Sequence, residues 1–220
     1  RMGEVTITAV DGISFQIEEG EFAVVVGSSG AGKTTVLNIL GGMDTLTSGK
    51  VFLDGAEISA FTKRQLTTYR RQDVGFVFQF YNLIPDLTVE ENIEVVSDIS
   101  ESPLDLSEVL GALELEPYRR RFPRELSGGQ QQRAAIARAM IKNPRLLLCD
   151  ELTGALDTHS SKNVLQFVEM MNRKYGTTVV IITHNEAIAK MADQIIRIRD
   201  GRVEESVFNE KKIPAEALEL

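Results

Sequence analysis

Phe22-Ala23-Val24-Val25-Val26-Gly27-Ser28-Ser29-Gly30-Ala31-Gly32-Lys33-Thr34-Thr35 decides the fold. The first five residues are an unbroken apolar run without alternation, the pattern of a strand buried on both faces, as central parallel strands are. Residues 27–34 then fit G-x-x-x-x-G-K-[ST], and Thr34–Leu40 carries helical spacing. In that strand–loop–helix context the pattern binds phosphate: glycines let successive backbone N–H groups converge on an oxyanion, and the helix N-terminus adds its unsatisfied N–H groups and partial positive charge. Gly27, Ser28, Ser29, Gly30, Ala31, Gly32 and Thr35 are therefore expected to line a nucleotide, Lys33 to reach its β- and γ-phosphates, and the Thr34 hydroxyl to ligate Mg²⁺. An ammonium about 4 Å from a phosphate charge contributes roughly 4 kcal/mol at an effective dielectric of about 20. A plain glycine turn beside a surface lysine explains the loop but not its placement between buried strand and helix.

On the N-terminal side, Val5, Ile7 and Ala9 alternate with polar residues, and Ile13, Phe15 and Ile17 do so again, so two strands are expected before a turn at Glu18–Glu21. Asp54-Gly55 inside Val51–Ile58 is a hairpin turn, because both positions accept positive φ. From about Tyr81 to Met140 the pattern is helical: Thr88 and Glu91 form a capping box, Leu106, Leu110 and Leu113 share a face, and Pro117 and Pro123 interrupt. Beyond Pro144 come a strand at Leu146–Asp150, a helix through Val164, Phe167, Val168 and Met171 that Gly176 can end, a buried strand at Thr178–Thr183, and a strand pair at Gln194–Glu204 around Asp200-Gly201. Buried strands alternating with helices mean an α/β parallel sheet, here with a helical insertion near the middle.

Composition narrows the classes. With 43% hydrophobic and 25% charged residues in 220, the chain is an ordinary globular one of a single domain. Its 24 Lys and Arg against 32 Asp and Glu give a net charge of −8, which argues against nucleic acid as a partner. No apolar run approaches the ~20 residues that span a bilayer. One cysteine, Cys149, excludes an internal disulfide or a multi-cysteine metal site, and with no signal-peptide pattern at the start of the sequence a reducing, cytoplasmic setting is expected.

Leu146-Leu147-Leu148-Cys149-Asp150-Glu151 ends an apolar strand in two acids at its carboxyl end, where open parallel sheets bind ligands. Consecutive strand residues point to opposite faces unless the chain turns, so the acids divide the work. Asp150 is expected to bind Mg²⁺ and Glu151 to polarise an attacking water. Cys149 reads as a small buried hydrophobe.

Leu126-Ser127-Gly128-Gly129-Gln130-Gln131-Gln132-Arg133 resembles the signature motif of ATP-binding-cassette (ABC) ATPases and stands ahead of Asp150-Glu151 as it does in that family. Gln79 resembles the family's Q-loop glutamine, Ala155-Leu156-Asp157 its D-loop, and His184 its switch histidine; with the phosphate loop and the strand-end acids, six elements come in family order across nearly the whole chain. The resemblance implies a P-loop NTPase parallel-sheet core with an antiparallel β subdomain and an inserted α-helical subdomain at about residues 81–140. It implies ATP and Mg²⁺ as ligands, with Gln79 beside the metal and water and His184 bonding the γ-phosphate or orienting the catalytic water. Ser127, Gly128, Gly129 and Gln130 would contact the ATP of a second copy, in a head-to-tail homodimer with two sandwiched nucleotides, and Asp157 of the D-loop would be a further nucleotide-binding residue. Ser127 is a good N-cap, and the helix behind it adds its dipole, so this is a second anion site. His159 and the run Arg119-Arg120-Arg121 read as solvated.

Leu37–Asp44, Gly75–Gln79, Asn82-Leu83-Ile84-Pro85 and the triple glutamine look most like the MacB, LolD and FtsE group. That likeness implies an ATPase on the cytoplasmic face of the membrane, serving a separate integral-membrane permease of FtsX/MacB type, with an accessory adaptor as an optional further partner. The alternative is an FtsE-like regulator of a cell-wall hydrolase with nothing transported. A DNA-repair or chromosome ABC ATPase lacks support in an acidic chain without coiled coils, and a simple P-loop kinase has no use for Ser127–Gln130. Phe80, Tyr81, Leu83 and Ile84 fit either a groove for the permease or core. Three departures stand out. The family's adenine-stacking aromatic would fall just before Arg1, so the natural start is expected upstream and ATP affinity about tenfold weaker without it. Leu152 replaces a usual proline, and Ser97–Leu106 is shorter than in many relatives.

Overall fold

The computed structural model describes residues 9–220. The expected strand over Val5, Ile7 and Ala9 lies almost wholly outside the described residues. The chain runs β1 (Phe22–Val26), α1 (Lys33–Leu40), β2 (Phe52–Leu53), β3 (Ala56–Glu57), α2 (Lys63–Gln72), β4 (Val74–Val77), α3 (Val89–Ser97), α4 (Leu106–Ala112), α5 (Gly128–Met140), β5 (Leu146–Asp150), α6 (Thr158–Tyr175), β6 (Thr178–Thr183), α7 (Glu186–Ala189), β7 (Gln194–Arg199) and β8 (Arg202–Phe208).

Among the described residues six strands form one sheet in the order β4-β5-β6-β1-β7-β8, parallel except for the antiparallel β7–β8 pair. Every residue of β1 and β6 is buried, as unbroken apolar strands must be when both sheet faces are covered. Successive side chains point to opposite faces. Phe22, Val24 and Val26 accordingly pack with α3, α4, α5 and α6 on one side, while Ala23 and Val25 pack with Val36 and Leu37 of α1 and Tyr69 of α2 on the other. Cys149 is wholly buried, and burial pushes its thiol pKa far up. Leu152 joins the same core as a buried side chain.

Local chemistry sets the element ends. Thr88 accepts from the Glu91 amide while the Glu91 carboxylate accepts from the Thr88 amide, which is the expected capping box of α3. Gly176 closes α6 at φ 68. Asp54 and Gly55, at φ 47 and 79, make the two-residue turn of the β2–β3 hairpin. The last strand runs on to Phe208, beyond the expected Glu204.

One expectation fails. Ile13, Phe15 and Ile17 form no strand among the described residues, although all three pack against the second core cluster as their alternation requires. Alternation reports which side chains are buried; a strand also needs a backbone partner, and these residues have none among those described. Residues 81–140 hold α3, α4 and α5 as expected. This segment is tied to α6, where Tyr175 donates to Glu108 at 2.8 Å and Lys174 pairs with the same carboxylate at 2.9 Å.

Candidate nucleotide site

The parallel register aligns the strand ends. Val26 stands beside Thr183, Ile182 beside Asp150, and Cys149 beside Val77. Gly27, His184, Glu151 and Gln79 therefore leave the sheet on one edge, from four strands that lie side by side. That edge is the carboxyl end of the parallel strands.

The phosphate loop is wedged against the sheet. A Cβ on Gly27 would collide with the carbonyl oxygen of Ile198, and one on Gly32, at φ 99, with that of Ala9. Ala31 accepts a bond from the Gly201 amide at 3.0 Å, so the β7–β8 turn also braces the loop. Gly32 caps α1, whose first turn carries Lys33, Thr34 and Thr35, while Ser28, Ser29 and Gly30 are exposed. Lys33 is only 7% exposed, and its ammonium donates to the carbonyls of Gly27 at 2.8 Å and Ser28 at 2.9 Å. The loop thus holds its cation folded back over the α1 N-terminus, where an anion is favoured.

The two acids are separated by a turn. Glu151 has φ 46, a left-handed conformation that costs on the order of 1–3 kcal/mol in a residue with a side chain. Its amide bonds the Ile182 carbonyl at 3.0 Å, and its carboxylate accepts from Thr183 Oγ1 at 3.2 Å and lies 3.0 Å from His184 Nδ1. The His184 side chain is 66% exposed, so its ring is free to reach outward while Nδ1 is engaged. Asp150 is half-buried, and desolvation first, then the Glu151 charge, raises its pKa, while Lys33 opposes the rise. Gln79 joins this group: its amide nitrogen is 2.9 Å from where a Cβ on Gly154 would be, within the turn that Glu151 opens.

No group of three or more His, Cys, Asp or Glu able to hold a metal exists among the described residues. One strand-end carboxylate, an exposed Thr34 in the first turn of α1 and a loop built for phosphate oxygens suit Mg²⁺, which keeps waters and takes one or two carboxylates plus phosphates. The residues present therefore fit that ion.

The expected second anion site stands apart. Ser127 caps α5 by accepting from the Gln130 amide at 3.3 Å, and the Gln130 side chain accepts from the Ser127 amide at 2.9 Å. The nearest neighbours of Gly128 are Tyr81 and Leu156 and that of Gly129 is Ser160, none of them in the phosphate loop. Asp157 caps α6, accepting from the Ser160 amide at 3.0 Å and hydroxyl at 2.7 Å, which hold its carboxyl below the usual range. His159 is exposed as expected, with only an Asn163 contact at 3.2 Å. Arg119 departs from the solvated reading, since its guanidinium bridges Glu90 of α3 at 2.5 Å and Glu116 at 3.2 Å.

Two residues near the site carry no sequence signal. Asn92 of α3, fully buried, accepts from the Ile84 amide at 2.7 Å and donates to the carbonyls of Ile84, Leu87 and Thr88 at 3.0–3.1 Å. Arg138 of α5 donates to the carbonyls of Asn82 at 2.6 Å and Tyr81 at 3.1 Å. Nothing in the spacing of Asn92 or Arg138 separates either from an ordinary polar helix position, since Asn92 stands among Glu90, Glu91 and Glu94.

Comparison with known proteins agrees with this geometry. The family described as ABC transporter matches residues 10–154. A putative ABC transporter ATP-binding protein, the MG065 homolog of Mycoplasma pneumoniae, is 44% identical over 205 residues, which are 92% of this chain and 44% of that protein. The macrolide export ATP-binding/permease protein MacB of Brucella melitensis is 43% identical over 206 residues, 91% of this chain and 32% of MacB. The chain thus spans less than half the length of these two relatives. Among solved structures, the dimeric ATP-binding cassette MJ0796 in a post-hydrolysis state with ADP and Pi superposes with a TM-score of 0.85 at 39% identity, over 96% of this chain and 94% of that one. The chain, with its phosphate loop, strand-end acids and signature helix, belongs to the ABC transporter family as an ATP-binding cassette.

Proposed function

We propose that this cassette binds ATP with Mg²⁺ and hydrolyses it as one half of a head-to-tail homodimer, and that a membrane permease receives the resulting motion. The observation that carries the reading is the meeting of Lys33, Asp150, Glu151, Gln79 and His184 at one sheet edge, with Glu151 and His184 3.0 Å apart. Lys33 and the Gly27–Thr35 amides bind the β- and γ-phosphates; Thr34, Asp150 and Gln79 are the residues that would hold Mg²⁺. When bound, the ion neutralises charge on the phosphate oxygens.

Glu151 accepts the proton of the attacking water as the new P–O bond forms and the bond to the ADP oxygen breaks. His184, held through Nδ1, keeps that carboxylate oriented and turns its exposed edge to the γ-phosphate. The neighbours of Gly128, Gly129 and Asp157 are Tyr81, Leu156 and Ser160 and include no residue of their own phosphate loop, which supports their acting on the nucleotide of a second copy, and the dimeric MJ0796 cassettes are consistent with this.

The permease is of the FtsX/MacB type. It is a separate polypeptide in the sequence reading and part of the same chain in MacB, whose name joins ATP-binding and permease functions. No described helix is long and apolar enough to cross a membrane, so this domain would sit peripherally on the cytoplasmic face, with residues 81–140 as the lobe that moves. Steady-state release of phosphate from Mg²⁺ and ATP by the purified chain tests the reading. Absence of turnover both alone and with a reconstituted permease would refute it.

A further inference from the structure

The chain leaves β4 through Gln79 and Phe80, then takes two consecutive left-handed residues, Tyr81 at φ 45 and Asn82 at φ 52. Side-chain-bearing residues keep such a backbone only where surrounding contacts over-determine it. Here the contacts are specific. The Arg138 fork donates to both carbonyls of that pair, one planar cation gripping two adjacent peptide groups. On the far side Asn92 fixes Ile84 through both its amide and its carbonyl.

Tyr81 also reaches the opposite end of the same helix. Its ring packs against the main core, and its hydroxyl oxygen is 2.9 Å from where a Cβ on Gly128 would be. From Gly128 to Arg138 is ten residues, about 15 Å of helix. One tyrosine therefore lies along α5, its carbonyl held by Arg138 and its hydroxyl pressed on the first glycine of the signature. Leu156 lies beside the same point, its Cδ2 3.3 Å from that Cβ position. Flanking Tyr81 are Phe80, 76% exposed, and Ile84, 43% exposed, so force applied to this surface enters the loop that Arg138 holds.

We propose that Arg138 is a positioning residue that couples the loop after Gln79 to the signature helix, so that a displacement of Phe80–Ile84 is passed through Tyr81 as a tilt of Ser127–Gln130. The proposal rests on the dimer reading given above. The guanidinium keeps its charge although burial lowers its pKa, so the grip does not titrate in the physiological range.

Hydrogen exchange on the full nucleotide-free chain tests the coupling independently of the dimer. Arg138→Ala should raise exchange at residues 80–84 and also at the Gln130 and Gln131 amides, which bond Ser127, by about tenfold, leaving α6 unchanged. A rise confined to residues 80–84, or one spread evenly over the molecule, overturns the proposal. In the Glu151→Gln background, Arg138→Ala should leave affinity for a fluorescent ATP analogue within about twofold while weakening ATP-driven dimerisation about tenfold or more. Unchanged dimerisation also overturns it. Arg138→Lys, which keeps one donor and folds if the alanine variant does not, should fall between the two. If Glu151→Gln alone shows no ATP-dependent dimer, the functional reading fails, and the exchange experiment still decides the coupling.

Discussion

Replacing Glu151 by Gln should abolish turnover and yet make the nucleotide-free chain more stable. Loss of a general base costs about 10²- to 10⁴-fold in rate, so phosphate release falls by that factor while the phosphate loop, untouched, keeps its affinity for ATP. The stability gain follows from Asp150. Its pKa is raised by burial first and by the Glu151 charge second, so the folded state holds its proton more tightly than the unfolded chain does. A carboxyl raised in this way contributes stability that is present below its unfolded pKa and is lost as pH rises through its folded pKa. At pH 7 the repulsion is therefore fully expressed. Glu151→Gln removes it while keeping one side-chain oxygen toward His184 Nδ1, now 3.0 Å away, and turning an NH2 donor to the Thr183 hydroxyl, now 3.2 Å away, which can accept it. Relief on the order of 1 kcal/mol for two partly buried like charges raises Tm by about 2–4 °C in a domain of this size. The increment should shrink as the pH is lowered through the carboxyl range, where Asp150 becomes neutral. Thermal denaturation of both proteins from pH 4 to 8, beside steady-state phosphate release, reads both effects. A variant that turns over ATP at the parent rate refutes Glu151 as the base, and a Tm that falls at pH 7 refutes the charge reasoning.

Lys33→Ala removes an ammonium worth roughly 4 kcal/mol near a phosphate, so affinity for a fluorescent ATP analogue should fall about 10³-fold; unchanged affinity contradicts the role of the loop. Asn92→Ala strips the Ile84 amide of its acceptor and three carbonyls of a donor at a fully buried position. The expected cost of about 1–3 kcal/mol lowers Tm by roughly 2–12 °C, read by calorimetry, and no change would mean that water replaces the amide. Cys149, wholly buried with its thiol pKa pushed up, should react with a thiol reagent only as fast as the chain unfolds. Labelling in native buffer that outpaces unfolding would contradict that burial.

The central strands were legible because Phe22–Val26, Leu146–Asp150 and Thr178–Thr183 are apolar runs of five or six residues that the structure buries almost throughout. The site was legible because Gly27, Asp150, Glu151 and His184 stand at or next to those strand ends, and Lys33 and Thr34 close a motif whose backbone chemistry is local. α2 left no apolar periodicity to read, since Tyr69 is its one buried residue; Thr62 and Gln65, which form its capping box, were the available signal. Residues 13–17 show the opposite failure, with a correct burial pattern and no ladder among the described residues. The turn at Glu151, which lets neighbouring acids share one edge, depends on bonds from Ile182 and Thr183, more than thirty residues away in sequence. Arg138 and Asn92 escaped for the same reason: their partners are carbonyls and amides, which every residue possesses.

The order of the strands also ranks the reacting groups by freedom to move. Lys33, Asp150, Glu151 and His184 hang from β1, β5 and β6, each stitched to a neighbour on both sides, whereas Gln79 hangs from β4, which among the described residues is stitched only to β5. Loosening an interior strand breaks two ladders, and loosening the outermost breaks one. Gln79 is thus the member that can be withdrawn and returned at least cost to the rest. On the proposed function, a cassette with this layout can idle by disengaging a single glutamine while Lys33 and Glu151 stay in place.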